Sequence, residues 1–270
     1  MATYRTEGVV LKRIDYGEAD RILTIFSKNK GKITAMAKGV RRMESRKGGN
    51  VELFNHTAFL MAEGRGMDIV TEAEVINSFS QLRENLELVS YTYHLIELVD
   101  QFTEEVQENY QLFILLLEVL RRVNGFTGAN YSSVTLGGEA SLESDNKIKI
   151  YLRAFEVKLL NLIGYRPQLS DCVHCNRSLL PENNFFSPFL GGIVCQECVN
   201  IDSDFRPISK EAIKVVRFLQ DRSWDQVEKL KISLDLQLEV EQQLREYIEF
   251  LLEKELKSAK FIERVKNTKG

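Results

Sequence analysis

The chain contains four cysteines, and they fall as two Cys-x2-Cys pairs, Cys172 with Cys175 and Cys195 with Cys198, separated by residues 176–194. Each pair can place two sulfurs at neighbouring corners of a tetrahedron. The intervening segment is long enough to fold back and bring the pairs together, and the spacing fits the four-cysteine zinc template. Four thiolates fill the coordination shell of zinc, so the expected ion is a single structural Zn2+ with no position left for a reacting water. Two disulfides or four unpaired core thiols would use the same residues. Disulfides suit an oxidising compartment, and the opening residues MATYRTEGVV lack the charged-then-apolar pattern of a secretory signal. Unpaired core thiols have no reason to fall at ligand spacing. His174 lies inside the first knuckle as an alternative ligand, but four sulfurs suffice without it.

Any fold must accommodate that module within 270 residues, 44% of them hydrophobic and 28% charged, a balance that suits a soluble protein of about two domains. No uncharged apolar run approaches the roughly 20 residues of a membrane span. The longest apolar stretch, Leu112 to Leu117, runs into Glu118, Arg121 and Arg122. A cytoplasmic location is the resulting expectation.

The first 76 residues read as β-structure. Thr6–Ile14, Arg21–Phe26, Lys32–Ala37, Val51–Met61 and Asp68–Ile76 are rich in branched and aromatic residues, and turn-like breaks separate them at Asn29-Lys30-Gly31 and Glu63-Gly64-Arg65-Gly66. Five short strands in so little chain predict a small closed barrel of the OB type, with an open meander or an SH3-like barrel as alternatives. After Asn77 the period becomes helical. Helices are expected over 79–101, opened by a Ser78-x-x-Gln81 capping box, then over 104–124 and 148–163. The last of these ends at Gly164, with Pro167 beyond. A polar loop is expected over 127–146, and the cysteine module, with a small hairpin between its knuckles, occupies about 170–200. Ser209 can cap a helix running to about 221; more helix follows from about 224, with a last long one over 235–257. The expected class is therefore α+β: a five-stranded OB-fold barrel at 1–78, then an α-helical domain at 79–270 with the zinc module inserted.

Net charge is −3, which disfavours a generic nucleic-acid binder, but the distribution is uneven. Residues 1–80 hold thirteen Lys/Arg against ten Asp/Glu, and residues 28–47 carry eight cations against Glu44 alone. Local field, rather than net charge, attracts phosphate. Arg13, Arg21, Lys32, Lys38, Arg41, Arg42, Arg46 and Lys47 are the expected phosphate contacts, several of them on a glycine-containing loop able to follow a backbone. A solvated surface loop with no ligand is the competing reading. Among the aromatics that could stack on bases, Tyr4, Phe26, Phe54 and Phe59 suit a core, whereas Tyr16, beside Gly17, suits an exposed turn. Of the three histidines, His56, His94 and His174, none sits in a metalloprotease or nucleophile pattern, and no phosphate-binding glycine loop is present, so no enzymatic activity is expected.

Gly17-Glu-Ala-Asp20-Arg-Ile, Gly31-Lys-Ile-Thr-Ala, Ala37-Lys-Gly39-Val-Arg-Arg42 and Gly64-Arg-Gly66 resemble the N-terminal domain of the bacterial RecO family of DNA repair proteins, and Phe155-Glu-Val-Lys-Leu-Leu-Asn-Leu-Ile-Gly-Tyr165 with the knuckles after it resembles the rest. The resemblance runs in order over about residues 4–200. It implies an OB-fold followed by a helical domain with a zinc site, in a recombination mediator that binds single- and double-stranded DNA and anneals complementary strands. It further implies action with RecR, often with RecF, in loading RecA onto DNA covered by single-strand-binding protein, whose acidic C-terminal tail many members dock. A nucleoid-associated location in the bacterial cytoplasm would follow. A zinc-ribbon or OB nucleic-acid-binding module acting outside repair, for instance in transcription, is the alternative.

Overall fold

The computed structural model describes residues 2–125, 139–180, 183–199 and 205–268. By contacts the chain divides into two compact units, Met1–Gly125 with Ser258–Gly270, and Phe126–Lys257. The boundary expected at residue 78 marks the change from strands to helices, while the contact boundary falls later, because the next two helices cluster with the barrel.

The first unit is built on a closed barrel with strand order β1-β2-β3-β5-β4, the arrangement of an OB-fold. Its strands are β1 (Thr3–Tyr16), β2 (Asp20–Ser27), β3 (Gly31–Ala37), β4 (His56–Ala62) and β5 (Asp68–Asn77). β1 is long enough to serve two neighbours: Thr3–Val9 pairs with β4 and Gly8–Tyr16 with β2, with a register shift between Val10 and Lys12. At the crossover a Cβ on Gly8 would stand 2.3 Å from Ile25 Cγ2, so only glycine fits. Parallel pairing of Ala35 with Asp68 and of Met36 with Ile69 closes the barrel. Val10, Leu23, Ile25, Ile33, Ala35, Phe59, Met61 and Val70 fill its interior, and Val40 and Val51 join them from the β3–β4 connection.

Three sequence expectations change here. The strand expected over Val51–Met61 begins only at His56; Gly49–Val51 is a 3-10 turn, and Phe54 is left-handed at φ 71°. This stretch supplies partners to β1 at its irregularity, through Phe54 N–H to Val10 O (3.0 Å) and Val10 N–H to Asn55 O (3.1 Å). Helix α1 (Leu86–Phe102) is capped by Asn85, whose Oδ1 accepts from Glu87 and Leu88 N–H, rather than by a box at Ser78. Residues 80–83 form a separate 3-10 turn after Phe79, itself at φ 43°. The helix expected from 104 starts at Tyr110 as α2 (Tyr110–Asn124), capped by Asn109. The residues before it cover the edge of β3 instead: Val106 N–H donates to Lys32 O at 2.9 Å and Thr34 Oγ1 to Glu105 Oε1 at 2.7 Å. Gly31, at φ +63°, permits this approach, since a Cβ there would lie 1.9 Å from Gln107 O.

The second unit contains α3 (Glu139–Leu162), α4 (Lys210–Asp221), the single turn α5 (Trp224–Val227) and α6 (Leu234–Leu252), with a three-stranded sheet of order β7-β6-β8 made of β6 (Asn184–Ser187), β7 (Gly192–Cys195) and β8 (Arg206–Ile208). Of the loop expected over 127–146, residues 127–138 lie outside the described residues, and 139–146 are already helical. Gly137-Gly138 is followed by the good helix formers Glu139, Ala140, Leu142 and Glu143, so the helix begins nine residues earlier than Ile148. Gly164 at φ +88° follows α3, and Ser209 Oγ caps α4 by accepting from Ala212 N–H, both as the sequence predicts. The long helix expected over 235–257 is two: α6 stops at left-handed Glu253, and α7 (Lys257–Asn267) joins the first unit. There Ser258 N–H donates to Glu97 Oε2 at 2.7 Å, and Phe261 packs edge-on against Tyr93. Among the described residues no helix is long and apolar enough to cross a membrane.

Candidate nucleic-acid interface and metal centre

The basic segment after β3 is a string of tight turns fastened to the barrel. Gly39 N–H donates to Asp20 Oδ1 at 2.7 Å and Arg41 N–H to Ala19 O at 2.9 Å. Val40 and Val51 are buried at its two ends, and Asn50 Nδ2 donates to Ala73 O at 2.7 Å. Backbone anchors of this kind fix the path while the side chains of residues 41–44 project outward, all exposed.

The eight cations expected to meet phosphate separate by environment. Lys38, Arg42 and Arg46 are exposed, and their side chains have no ion-pair or hydrogen-bond partner among the described residues. Arg41 is exposed, with Nη1 donating to Gly17 O at 3.2 Å and Nε 3.5 Å from Asp15 Oδ2. Arg13 and Arg21 converge on Glu52 at one mouth of the barrel; Arg21 also donates to Asp15 at 2.9 Å, and that bond holds the Asp15 carboxyl below its usual range. Lys47 turns inward and donates to Val70 O at 3.1 Å. Lys32 lies beneath the end of α1, where its Nζ donates to Asp100 O at 2.6 Å and stands 3.6 Å from Asp100 Oδ1. The structure thus brings Lys38, Arg41, Arg42 and Arg46 together on one exposed connection and commits the other four to protein partners.

Sequence reasoning passed over Arg5. It lies on the outward face of β1 and lines a groove of about 800 Å3 with Lys28, Arg46, Glu7, Glu72 and Glu74. Strand alternation, with Arg5 exposed beside buried Thr6, was the available signal. Lys28 is already paired with Glu7 at 3.5 Å there, and Glu72 and Glu74 face Arg5 across the same groove lining.

In the second unit the knuckles bring all four cysteine sulfurs within 4.8 Å of one another. The β6–β7 hairpin pairs Asn184 with Cys195 and presents the second knuckle beside the first. Within the first knuckle, Asn176 N–H closes a turn onto Cys172 O at 2.8 Å, with Asn176 left-handed at φ 58°. Cys195 N–H points at Cys172 Sγ across 3.4 Å. A Zn–S bond of about 2.3 Å sets the edges of a ZnS4 tetrahedron at about 3.8 Å, and Cys175 Sγ and Cys195 Sγ are 3.8 Å apart. That separation is far too long for a disulfide and right for two ligands of one ion. His174 is exposed and outside the cluster. Burial pushes the Cys172 thiol up, but backbone N–H groups of Cys195, Cys175 and His174 outweigh it and bring the thiol to about 6. Burial and hydrogen bonds with the neighbouring thiols push Cys198 up to about 12. Cys172 forms a thiolate readily while Cys195 and Cys198 resist until a cation offsets the repulsion, which is the electrostatics of a metal site. Arg177 and Glu197 tie the two knuckles together on the outside at 2.7 Å.

Barrel, helical unit and knuckles can now be set beside known proteins. The sequence model "Recombination protein O N terminal" matches residues 1–79, and "Recombination protein O C terminal" matches 83–136 and 140–260. Among curated relatives, a "DNA repair protein RecO" from Roseiflexus sp. (strain RS-1) is 37% identical over 263 residues, covering 97% of this chain and 86% of the relative. The proteins of that name from Pelotomaculum thermopropionicum and Symbiobacterium thermophilum are 35% and 31% identical, covering 98% and 100% of this chain and 95% and 100% of their own length. With both halves matched in order and the similarity running from end to end, the chain belongs to the RecO family of DNA repair proteins.

Proposed function

We propose that this protein is a recombination mediator that binds single- and double-stranded DNA through the connection after β3 and anneals complementary strands. The observation that carries the reading is the set of exposed cations without protein partners, Lys38, Arg42 and Arg46, on a backbone pinned to an OB-fold barrel. A cation already paired with a carboxylate must give up that partner to meet a phosphate; a free one only releases the counterion it displaces from the DNA. Arg41 joins the set when phosphate competes with its exposed partner Asp15.

Annealing brings two polyanions together. Guanidinium and ammonium groups that touch phosphates and leave base edges free lower the repulsion between strands, and base pairing supplies the driving force. The family resemblance supports the wider setting: RecR and RecF as partners, docking of the single-strand-binding protein's C-terminal tail, and delivery of DNA to RecA. The cysteine cluster is read as one structural zinc, which would hold the two knuckles as a unit in the helical half and supply no chemistry to DNA. A nucleoid-associated place in the cytoplasm accords with these roles.

The test is the Lys38→Ala, Arg42→Ala, Arg46→Ala triple variant. Three lost phosphate contacts should flatten the plot of log affinity against log salt by about 2 for a single strand, since each contributes about 0.7. Annealing of two complementary fluorescent oligonucleotides should slow in parallel. An unchanged slope would remove the connection from the DNA interface.

A further inference from the structure

Among the described residues Met43 is the methionine that the fold leaves wholly in solvent. Met61 is buried and Met36 and Met67 are half-buried, whereas Met43 is 104% exposed. Its place in the basic connection explains why. Gly39–Arg42 is one tight turn, closed by Arg42 N–H to Gly39 O at 3.2 Å. Arg42–Ser45 is a second, closed by Ser45 N–H to Arg42 O at 3.0 Å. Met43 and Glu44 are the two central residues of that second turn and form its tip. The backbone beneath them is fixed. Val40 is buried at the foot, Gly39 N–H and Arg41 N–H bond Asp20 Oδ1 and Ala19 O, and on the far side Asn50 Nδ2 holds Arg46 O at 3.1 Å. A long apolar side chain is thereby carried away from the barrel, with no protein surface to cover it.

A single exposed apolar side chain is ordinary on a protein surface. This one stands in the middle of a cationic run, and its surroundings select its partner. Lys38, Arg41 and Arg42 precede it and Arg46 follows, all exposed. The acidic groups close by are fewer. Glu44 beside it and Glu18 on the β1–β2 turn are exposed, while Asp20 is engaged by Gly39 N–H and Asp15 by Arg21 and Arg41. One apolar side chain between Arg42 and Glu44 is not the continuous patch that an apolar protein face would require. It does match the minor groove of a duplex, a slot about 6 Å wide with phosphates along its rims and stacked bases at its floor. A two-residue turn tip is narrow enough to enter that slot. Proteins that bind there place arginine and lysine beside an apolar wedge, methionine among the types used, that inserts between base steps.

We infer that Met43 is a wedge that enters the minor groove of duplex DNA and inserts between two base pairs, while the exposed cations beside it hold the phosphates. The assignment rests on the proposed DNA-binding role of the connection and adds a second kind of contact to it. Phosphate contacts alone attract a duplex without deforming it. An inserted side chain parts two base pairs and bends the helix at that step. The DNA loses stacking there, and the loss is smallest at the flexible pyrimidine–purine steps and largest in stiff A-tracts. The wedge therefore selects deformable steps without reading any base edge. Methionine suits the task, because its unbranched chain and polarizable sulfur adapt to an irregular gap. A charged side chain at the same tip would have to give up its water to enter the stack.

The experiment compares four proteins, the parent, Met43→Ala, Met43→Leu and the Lys38/Arg42/Arg46 triple-alanine variant. The probes are two duplexes carrying 2-aminopurine, a base that brightens when it loses its stacking neighbours, in one at a central TA step and in the other within an A-tract. Fluorescence is read at saturating protein, and affinity is measured by anisotropy at several salt concentrations. Because Met43 is fully exposed, its replacement should leave the fold intact, as circular dichroism will check. The parent should brighten the TA probe, and brighten the A-tract probe less. Met43→Ala should lose the rise while its salt slope stays parental, since no phosphate contact has changed. Met43→Leu, apolar and of similar volume, should keep the rise. If the parent leaves the TA probe dark, or Met43→Ala brightens it as the parent does, the wedge is refuted; a flattened slope in the triple variant then leaves the connection standing as a phosphate site. A Met43→Leu variant that fails like Met43→Ala also refutes the wedge, because insertion asks only for an apolar chain of that size. A parental slope in the triple variant overturns the reading of the connection, and the wedge with it.

Discussion

Lys32 offers the sharpest separation between what the sequence suggests and what the fold does. By position it belongs to the basic run; by structure it is a tie between the barrel and α1. Lys32→Met keeps most of the aliphatic stem and removes the ammonium. The variant loses the bond to Asp100 O (2.6 Å) and the ion pair with Asp100 Oδ1 (3.6 Å), at a place where the two side chains are only 14% and 9% exposed. A hydrogen bond from a charged donor is worth about 1.5–3 kcal/mol. Stranding a buried charge costs about 3–5 kcal/mol, but the Asp100 carboxylate keeps Lys12 and Gln101, so the lower range applies. The expected loss is about 2 kcal/mol, or about 4–8 °C in thermal midpoint for a protein of this size. The assay pairs thermal melting with anisotropy titrations of labelled oligo-dT at several salt concentrations. The salt slope should match the parent's. A parental midpoint together with a slope flattened by about 0.7 would show that Lys32 holds phosphate and that its placement under α1 is wrong.

Two further outcomes follow from the same reasoning. Cys172→Ser should abolish stoichiometric zinc, read by a colorimetric chelator, and lower the melting temperature at the same time; a variant that melts like the parent without metal would show the site to be dispensable. His56 is buried, its Nε2 3.4 Å from Glu7 Oε2 and its ring edge-on to Phe113. Desolvation lowers its pKa, and Glu7 opposes that only in part. A group held below its unfolded value binds fewer protons when folded, so its contribution is complete above the unfolded histidine value of about 6.5 and is lost as pH falls towards the folded value. Stability should therefore drop on acidification through that window, and His56→Phe should flatten the drop. An identical pH profile for parent and variant would assign the acid sensitivity elsewhere.

What could be read from the sequence divides by the range of the interaction that decides it. The barrel strands were legible because alternation and branched residues act locally, and the cysteine cluster because ligand spacing is itself a local geometric rule. The fate of individual cations was not. Lys32 meets Asp100 across 68 positions and Arg13 meets Glu52 across 39, and no periodicity announces such partners. Residues 51–55 misread as strand because Val51 and Phe54 are apolar for burial beside the β1 irregularity rather than for a ladder. Residues 104–109 misread as helix because their task is to cover a strand edge, a tertiary demand that overrode propensity. Tyr16 was legible as an exposed ring.

The proposed annealing role requires that the protein release the duplex it makes. Eight phosphate contacts would give a salt slope near 6 on single strands and a grip that holds the product as firmly as the substrate. If phosphate is held by the four of those eight that protein partners leave open, Lys38, Arg42, Arg46 and the loosely paired Arg41, the slope lies between about 2 and 3, and raising salt from 50 to 200 mM should weaken binding roughly 20- to 50-fold. That electrostatic hold can attract two strands and lower their repulsion without outcompeting the pairing energy of the duplex they form.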